Sequence, residues 1–195
     1  MHELICSKNQ LKEWISYEQK KYGGGYRIID FFELSEKSIL RKHQRLLRYT
    51  EYYLNTHKRI LYLYYRLRVN RIQNRYALHI PVNTTGKGLK IMHVGPILIN
   101  GSADIGKDLS IHINTSIVAG GKTDNAAIIG DNVIISVGAV VVGGIKIANN
   151  VVVGANAVVT RDVNCQEVTI AGVPAKKYVI MEVVLGNIGG LAVER

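Results

Sequence analysis

The residues best equipped for chemistry are the histidines, and His93 stands out by its phase. It lies in Gly88-Leu-Lys-Ile-Met-His93-Val-Gly-Pro-Ile-Leu-Ile-Asn100, six residues before Ile99, where the surrounding pattern calls for an inward aliphatic. A buried imidazole without a partner is costly, so the chain is expected to leave its wall there and present the ring at the surface. Neutral imidazole can take the proton from an attacking hydroxyl near neutral pH. His112, in Ser110-Ile-His-Ile-Asn114, competes for the role. The six histidines and two cysteines (Cys6 and Cys165) show no metal-ligand spacing, so no metal is expected. No nucleophile triad is visible, and direct transfer fits better than a covalent enzyme intermediate.

The element that must carry His93 shows a period of six. Ile99, Ile105, Ile111, Ile117, Ile129, Ile135, Val141, Ile147, Val153 and Val159 hold one register, interrupted at Thr123. Four residues after each stand Ala103, Leu109, Thr115, Val133, Ala139, Ile145, Val151 and Ala157. Gly106-Lys107-Asp108, Gly130-Asp131-Asn132 and Ala148-Asn149-Asn150 fill the gaps. Six is neither the helical period nor strand alternation. It marks short strands meeting at corners, three sides to a coil of about eighteen residues, stacked four to five high over residues 80–163. A β-sandwich would need hairpin signals and period two. The break, Ala119-Gly-Gly-Lys-Thr-Asp-Asn-Ala126, reads as a loop on a rigid scaffold, either functional or a tolerated insertion.

Ahead of the repeat the composition changes. Residues 1–78 hold 16 Lys+Arg against 7 Asp+Glu, a net of +9 out of the chain's +10, and ten of the eleven tyrosines. Residues 36–78 contain no Gly or Pro and read as two helices with a break at Asn55-Thr56, capped by Ser35 and Ser38. A shorter helix over Leu11–Lys20 ends at Gly23-Gly24-Gly25. The charge admits contact with a peripheral membrane surface or an anionic polymer. The blander reading is a solvated face of a hairpin packed on the repeat. No zinc spacing, RNP-type strand or basic zipper accompanies it, so no nucleic acid is expected. Across all 195 residues there is neither an eighteen-residue apolar run nor a signal-type start, which makes the expected location cytoplasmic and the cysteines reduced.

The hexads, the loop after Ile117-Val-Ala-Gly-Gly, the run Gly154-Ala-Asn-Ala-Val-Val-Thr and the tail Ala171-Gly-Val-Pro-Ala-Lys176 resemble the hexapeptide-repeat acyltransferases. The match covers about residues 76–180 and is similar to the serine acetyltransferase-like branch, which includes O-acetyltransferases of capsular and exopolysaccharide sugars. The resemblance implies a mainly β fold: a left-handed parallel β-helix over 79–178 behind a basic helical domain at 1–78. Residues 179–195 form an extension to which no role is assigned. It also implies a homotrimer whose active site is shared by two subunits, acetyl-CoA in a groove between coils, and His93 as the base.

By the same match Gly120 and Gly121 approach the thioester carbonyl, Ser136-Val137 and Gly154-Ala155 line the pantetheine arm, and Lys176 and Lys177 meet nucleotide phosphates. For single glycines a coil corner, and for the lysines solvent exposure, are the competing readings. His79 is expected where relatives carry an aspartate orienting the base, and an imidazole supplies no fixed negative charge there. Met92 replaces an acidic residue, and Asp124 and Asn125 stand where the family's loop carries an arginine and a histidine. A free amino acid needs an anion for its ammonium and a cation for its carboxylate. These substitutions therefore favour a neutral acceptor such as a sugar hydroxyl, with L-serine second and a non-catalytic scaffold third.

Overall fold

The computed structural model describes residues 2–24, 35–121 and 124–178. Three helices come first: α1 (Lys8–Lys20), α2 (Glu36–Asn55) and α3 (Arg59–Tyr76). At α1 the Ser7 hydroxyl accepts from the Gln10 N–H while the Gln10 side chain accepts from the Ser7 N–H, a reciprocal cap. Ser35 caps α2 by accepting from the Ser38 N–H. The expected break holds: Thr56 ends α2 and His57 turns left-handed at φ 57°.

The strands that follow are short: β1 (Leu78–His79), β2 (Lys90–Ile91), β3 (Ile97–Ile99), β4 (Asp104–Ile105), β5 (Ser110–Ile111), β6 (Thr115–Val118) and β7 (Ile128–Ile129). They continue as β8 (Ile134–Ile135), β9 (Val140–Val142), β10 (Lys146–Ile147), β11 (Val152–Val153), β12 (Val158–Val159), β13 (Thr169–Ala171) and β14 (Lys176–Tyr178). Three parallel walls result. The first is β1-β3-β6-β9-β12, the second β4-β7-β10, and the third β2-β5-β8-β11-β13, onto which β14 adds antiparallel. Single bridges, Thr85 to Ile105 and Ile147 to Val163, lengthen the second wall at both ends. This is a parallel β-helix of five coils, the architecture that the hexads lead one to expect.

Register explains why. Ile111 pairs with Ile135 and Ile135 with Val153, so equivalent hexad positions stack directly. Every hexad aliphatic from Ile99 to Val159 is at most 3% exposed. Each contributes about 1.5–3 kcal/mol by leaving water. The polar gaps are the corners: Asp108, Asn132 and Asn150 take left-handed φ of 58°, 54° and 58°, a conformation that Asn and Asp tolerate best after glycine.

The helices close the top of the column and share its core, since Tyr22, Leu40, Leu46, Leu47 and Val69 join the same buried cluster as the coil aliphatics. A buried cation locks the junction. Arg48 donates to both Glu18 oxygens, to Glu51 Oε2 at 2.8 Å, and to the carbonyls of Thr85 and Gly86. Burial opposes its charge, but the two carboxylates outweigh that and hold its pKa above the ordinary arginine value. On α2, Leu46 and Leu47 are buried, whereas Ile39, Tyr53 and Leu54 are only half-buried. The residues that join them in the interior are largely polar: His43, Gln44, Arg48 and Glu51.

Candidate active site

His93 follows β2 at the corner between the third and first walls. The hexad phase does not run through it. In the first coil the inward residue is Ile91, fully buried and stacked on Ile111, and the next inward residue on the first wall is Ile97, stacked on Thr115. Ile91 to Ile97 spans six residues where Ile111 to Thr115 spans four, so this corner carries two extra residues. The bulge presents the His93 side chain outward, 56% exposed, as the cost of burying an unpartnered imidazole demands.

Beneath the bulge the segment is held by the helices. The Ile91 N–H donates to the Tyr22 hydroxyl at 2.8 Å, Lys21 donates to the Gly88 carbonyl at 2.7 Å, and the Gln44 amide donates to the Leu89 carbonyl. The ring itself faces a carboxylate. Glu36, in the first turn of α2, accepts from the Val94 N–H at 2.8 Å and lies 3.3 Å and 3.4 Å from His93 Nδ1 through its two oxygens. A first-turn position suits an anion, because unpaired N–H groups point toward it. With Nδ1 turned to Glu36, Nε2 is left without a hydrogen-bond partner among the described residues.

Glu36 is the residue that sequence reasoning missed. It is 57 positions from His93 and reads as an ordinary helix-start acid. His79, expected nearby, faces outward from β1 beside Leu98 and makes no hydrogen bond to His93 among the described residues.

The same corner repeats down the column. Met92, His112, Ser136 and Gly154 occupy one position on successive coils, each donating its N–H one coil down, to Ile111, Ile135, Val153 and Ile170. His93, Val137 and Ala155 occupy the next position, all on the outer edge. The His112 ring lies 6.3 Å from that of His93. Burial, then the neighbouring His93 and Lys90, push its pKa below the usual histidine value. Below them β14 brings Lys176 and Lys177, both exposed, onto the end of the third wall. At about 4.8 Å per strand, the five steps from β2 to β14 make this edge about 24 Å long from His93 to the lysines.

The loop residues stand elsewhere. Gly120, Gly121, Asp124 and Asn125 leave the corner between β6 and β7, on the far edge of the first wall, and all are exposed. Gly121 has φ +79°, a conformation that favours glycine, and a Cβ on Gly120 would sit tightly, 3.3 Å from the Gly143 Cα. Ser102 pins the other end, its hydroxyl donating to the Asp124 carbonyl at 2.6 Å and accepting from the Ala126 N–H. Lys122 and Thr123 lie outside the described residues. Among the described residues no group of three or more acidic, His or Cys side chains is arranged to hold a metal.

No family model matches the chain, and no curated protein matches its sequence. Solved structures do. Soybean serine acetyltransferase, as apoenzyme, superposes with a TM-score of 0.67 at 24% identity over 88% of this chain and 70% of its own. The Neisseria gonorrhoeae serine acetyltransferase in complex with serine gives 0.66 at 23% identity over 89% and 71%. A serine acetyltransferase in complex with CoA gives 0.60 at 20% identity over 88% and 71%. The chain therefore has the serine acetyltransferase fold, helices followed by a parallel β-helix.

Proposed function

We propose that this protein is an acetyl-CoA-dependent O-acetyltransferase in which His93 is the general base. The observation that carries the reading is the bulged corner: an outward imidazole with a carboxylate at Nδ1 and a free Nε2, heading an edge that ends at two lysines. Nε2 takes the proton of the acceptor hydroxyl as its oxygen attacks the thioester carbonyl; the C–S bond then breaks and CoA leaves as the thiol after protonation. Glu36 fixes the ring and steadies the imidazolium that forms, as a carboxylate behind histidine does elsewhere. Along the edge, Ser136-Val137 and Gly154-Ala155 offer small groups past which a pantetheine arm can lie, and Lys176 and Lys177 offer cations for nucleotide phosphates. The similar fold of a serine acetyltransferase solved in complex with CoA supports acetyl-CoA as the donor.

The homotrimer that the family resemblance implies is part of the same proposal. His93 and the Gly120-Gly121 loop flank opposite sides of the first wall, so one chain does not bring them together. Copies packed side by side, as a trimer, would set one chain's loop beside the next chain's histidine. Gly120 and Gly121 then approach the thioester of the neighbouring site.

For the acceptor, we favour a neutral hydroxyl, most simply on a sugar destined for a capsular or extracellular polysaccharide. Met92 and His112 place no fixed charge beside His93, and Asp124 and Asn125 bring no cation for a substrate carboxylate. Glu36 favours the second reading, L-serine, because it supplies one anion that an ammonium group can use. Purified protein offered acetyl-CoA with a panel of sugars, nucleotide sugars and L-serine decides between them. Thiol release should rise with a sugar acceptor and not with L-serine, and release with L-serine alone would overturn the preference.

A further inference from the structure

The helical cap carries a surface that acetyl transfer does not use. On α3, Ile60, Leu63, Tyr64 and Leu67 are 87%, 58%, 51% and 63% exposed. Their spacing of three, four and seven puts them on one face. Lys58, Arg59, Arg66, Arg68, Arg71 and Arg75 surround this ridge, and residues 57–77 contain no Asp or Glu. None of the six has a carboxylate partner among the described residues; Arg68 instead donates to the Tyr64 hydroxyl and Lys58 lies over the Tyr52 ring. Beside the ridge, Leu61 and Leu11 line a cleft of about 160 Å³ together with Tyr49, Tyr52, Tyr53 and three lysines, Lys8, Lys12 and Lys58.

From this we infer that α3 and the adjoining cleft dock the protein on an anionic phospholipid bilayer. Both halves of the surface then find a partner. The aliphatics enter the headgroup–acyl boundary, and the guanidinium and ammonium groups meet lipid phosphates. A polyanion such as nucleic acid would satisfy the cations and leave the apolar ridge in water. A second copy docked ridge to ridge would bring twelve unpaired cations together. Only a bilayer combines oil with dense negative charge.

The test uses the whole chain and needs no acetyl transfer, so it fails or succeeds independently of the function proposed above. The protein is sedimented with phosphatidylcholine vesicles and with vesicles containing about a third phosphatidylglycerol. Two variants, Leu63→Gln/Leu67→Gln and Arg66→Gln/Arg71→Gln, follow after circular dichroism shows that they are folded, and light scattering gives the mass of each. The inference expects binding to the anionic vesicles, at least tenfold weaker to neutral ones, and a tenfold or greater loss in each variant. No binding to anionic vesicles overturns it, as does binding that neither variant weakens. A fall in oligomer mass in the Leu63→Gln/Leu67→Gln variant also overturns it, by making the ridge an interface between copies.

Discussion

At the scale of single residues the account turns on the His93–Glu36 pair. His93 could be singled out in the sequence because an imidazole in an aliphatic register is a conflict that the fold must resolve. The resolution, a two-residue bulge, was not legible, since a hexad count carries straight across it. Glu36 was invisible for a different reason: its partner lies on another element, and only the docking of α2 on the first coil brings the two together. The pair makes a specific demand. Replacing Glu36 by Ala should lower kcat about tenfold while leaving the KM for acetyl-CoA within twofold, because ring orientation matters to proton transfer and not to cofactor capture. Nitrogen NMR should show the wild-type His93 ring carrying its neutral-form proton on Nδ1, and a mixture of tautomers in the variant. In the double variant Glu36→Ala/His93→Ala the loss should equal that of His93→Ala alone; additive losses would mean that Glu36 acts elsewhere.

Elements divide by what specifies them. The coils are written in the sequence as a strict period, and the corner residues as Asn, Asp and Gly, so both architecture and phase could be read off nearly in full. α2 was equally plain from its Ser35 cap and the absence of Gly and Pro, whereas α1 begins at Lys8, three residues before the expected Leu11, after a Ser7 cap. What no pattern announced is the polar interior where helices meet column, because a buried Arg48 or His43 looks in sequence like any surface residue. His43 has a thermodynamic signature. It is wholly buried, and burial, then the nearby Arg48 cation, push its pKa down to about 4. The unfolded chain therefore takes up a proton near pH 6.5 that the folded chain refuses until about pH 4. Stability contributed by the neutral ring is complete above pH 6.5 and is lost as pH falls through that window. Thermal melts should show a midpoint that drops from pH 6.5 toward pH 4, and a His43→Leu variant should show a shallower drop. An identical slope in both would assign the effect to other groups.

For the molecule as a whole, the column explains why the proposed site runs along one edge: every coil repeats the same corner, so a single bulge at the top faces a straight track below it. In the proposed assembly one chain supplies half of a site, because its histidine and its glycine loop lie on opposite sides of a wall. This half-site logic is testable by mixing. Chains carrying His93→Ala and chains carrying Gly120→Val/Gly121→Val should each be nearly inactive alone. Co-refolded together they should regain a sizeable part of wild-type turnover, because some interfaces then pair an intact histidine with an intact loop. No recovery would confine the site to one chain. Of all measurements, the most direct compares wild type with His93→Ala for turnover at saturating acetyl-CoA and for CoA affinity by calorimetry. The account predicts kcat at least a hundredfold lower with CoA affinity unchanged, the mark of a lost general base. Turnover equal to wild type in the variant would contradict it.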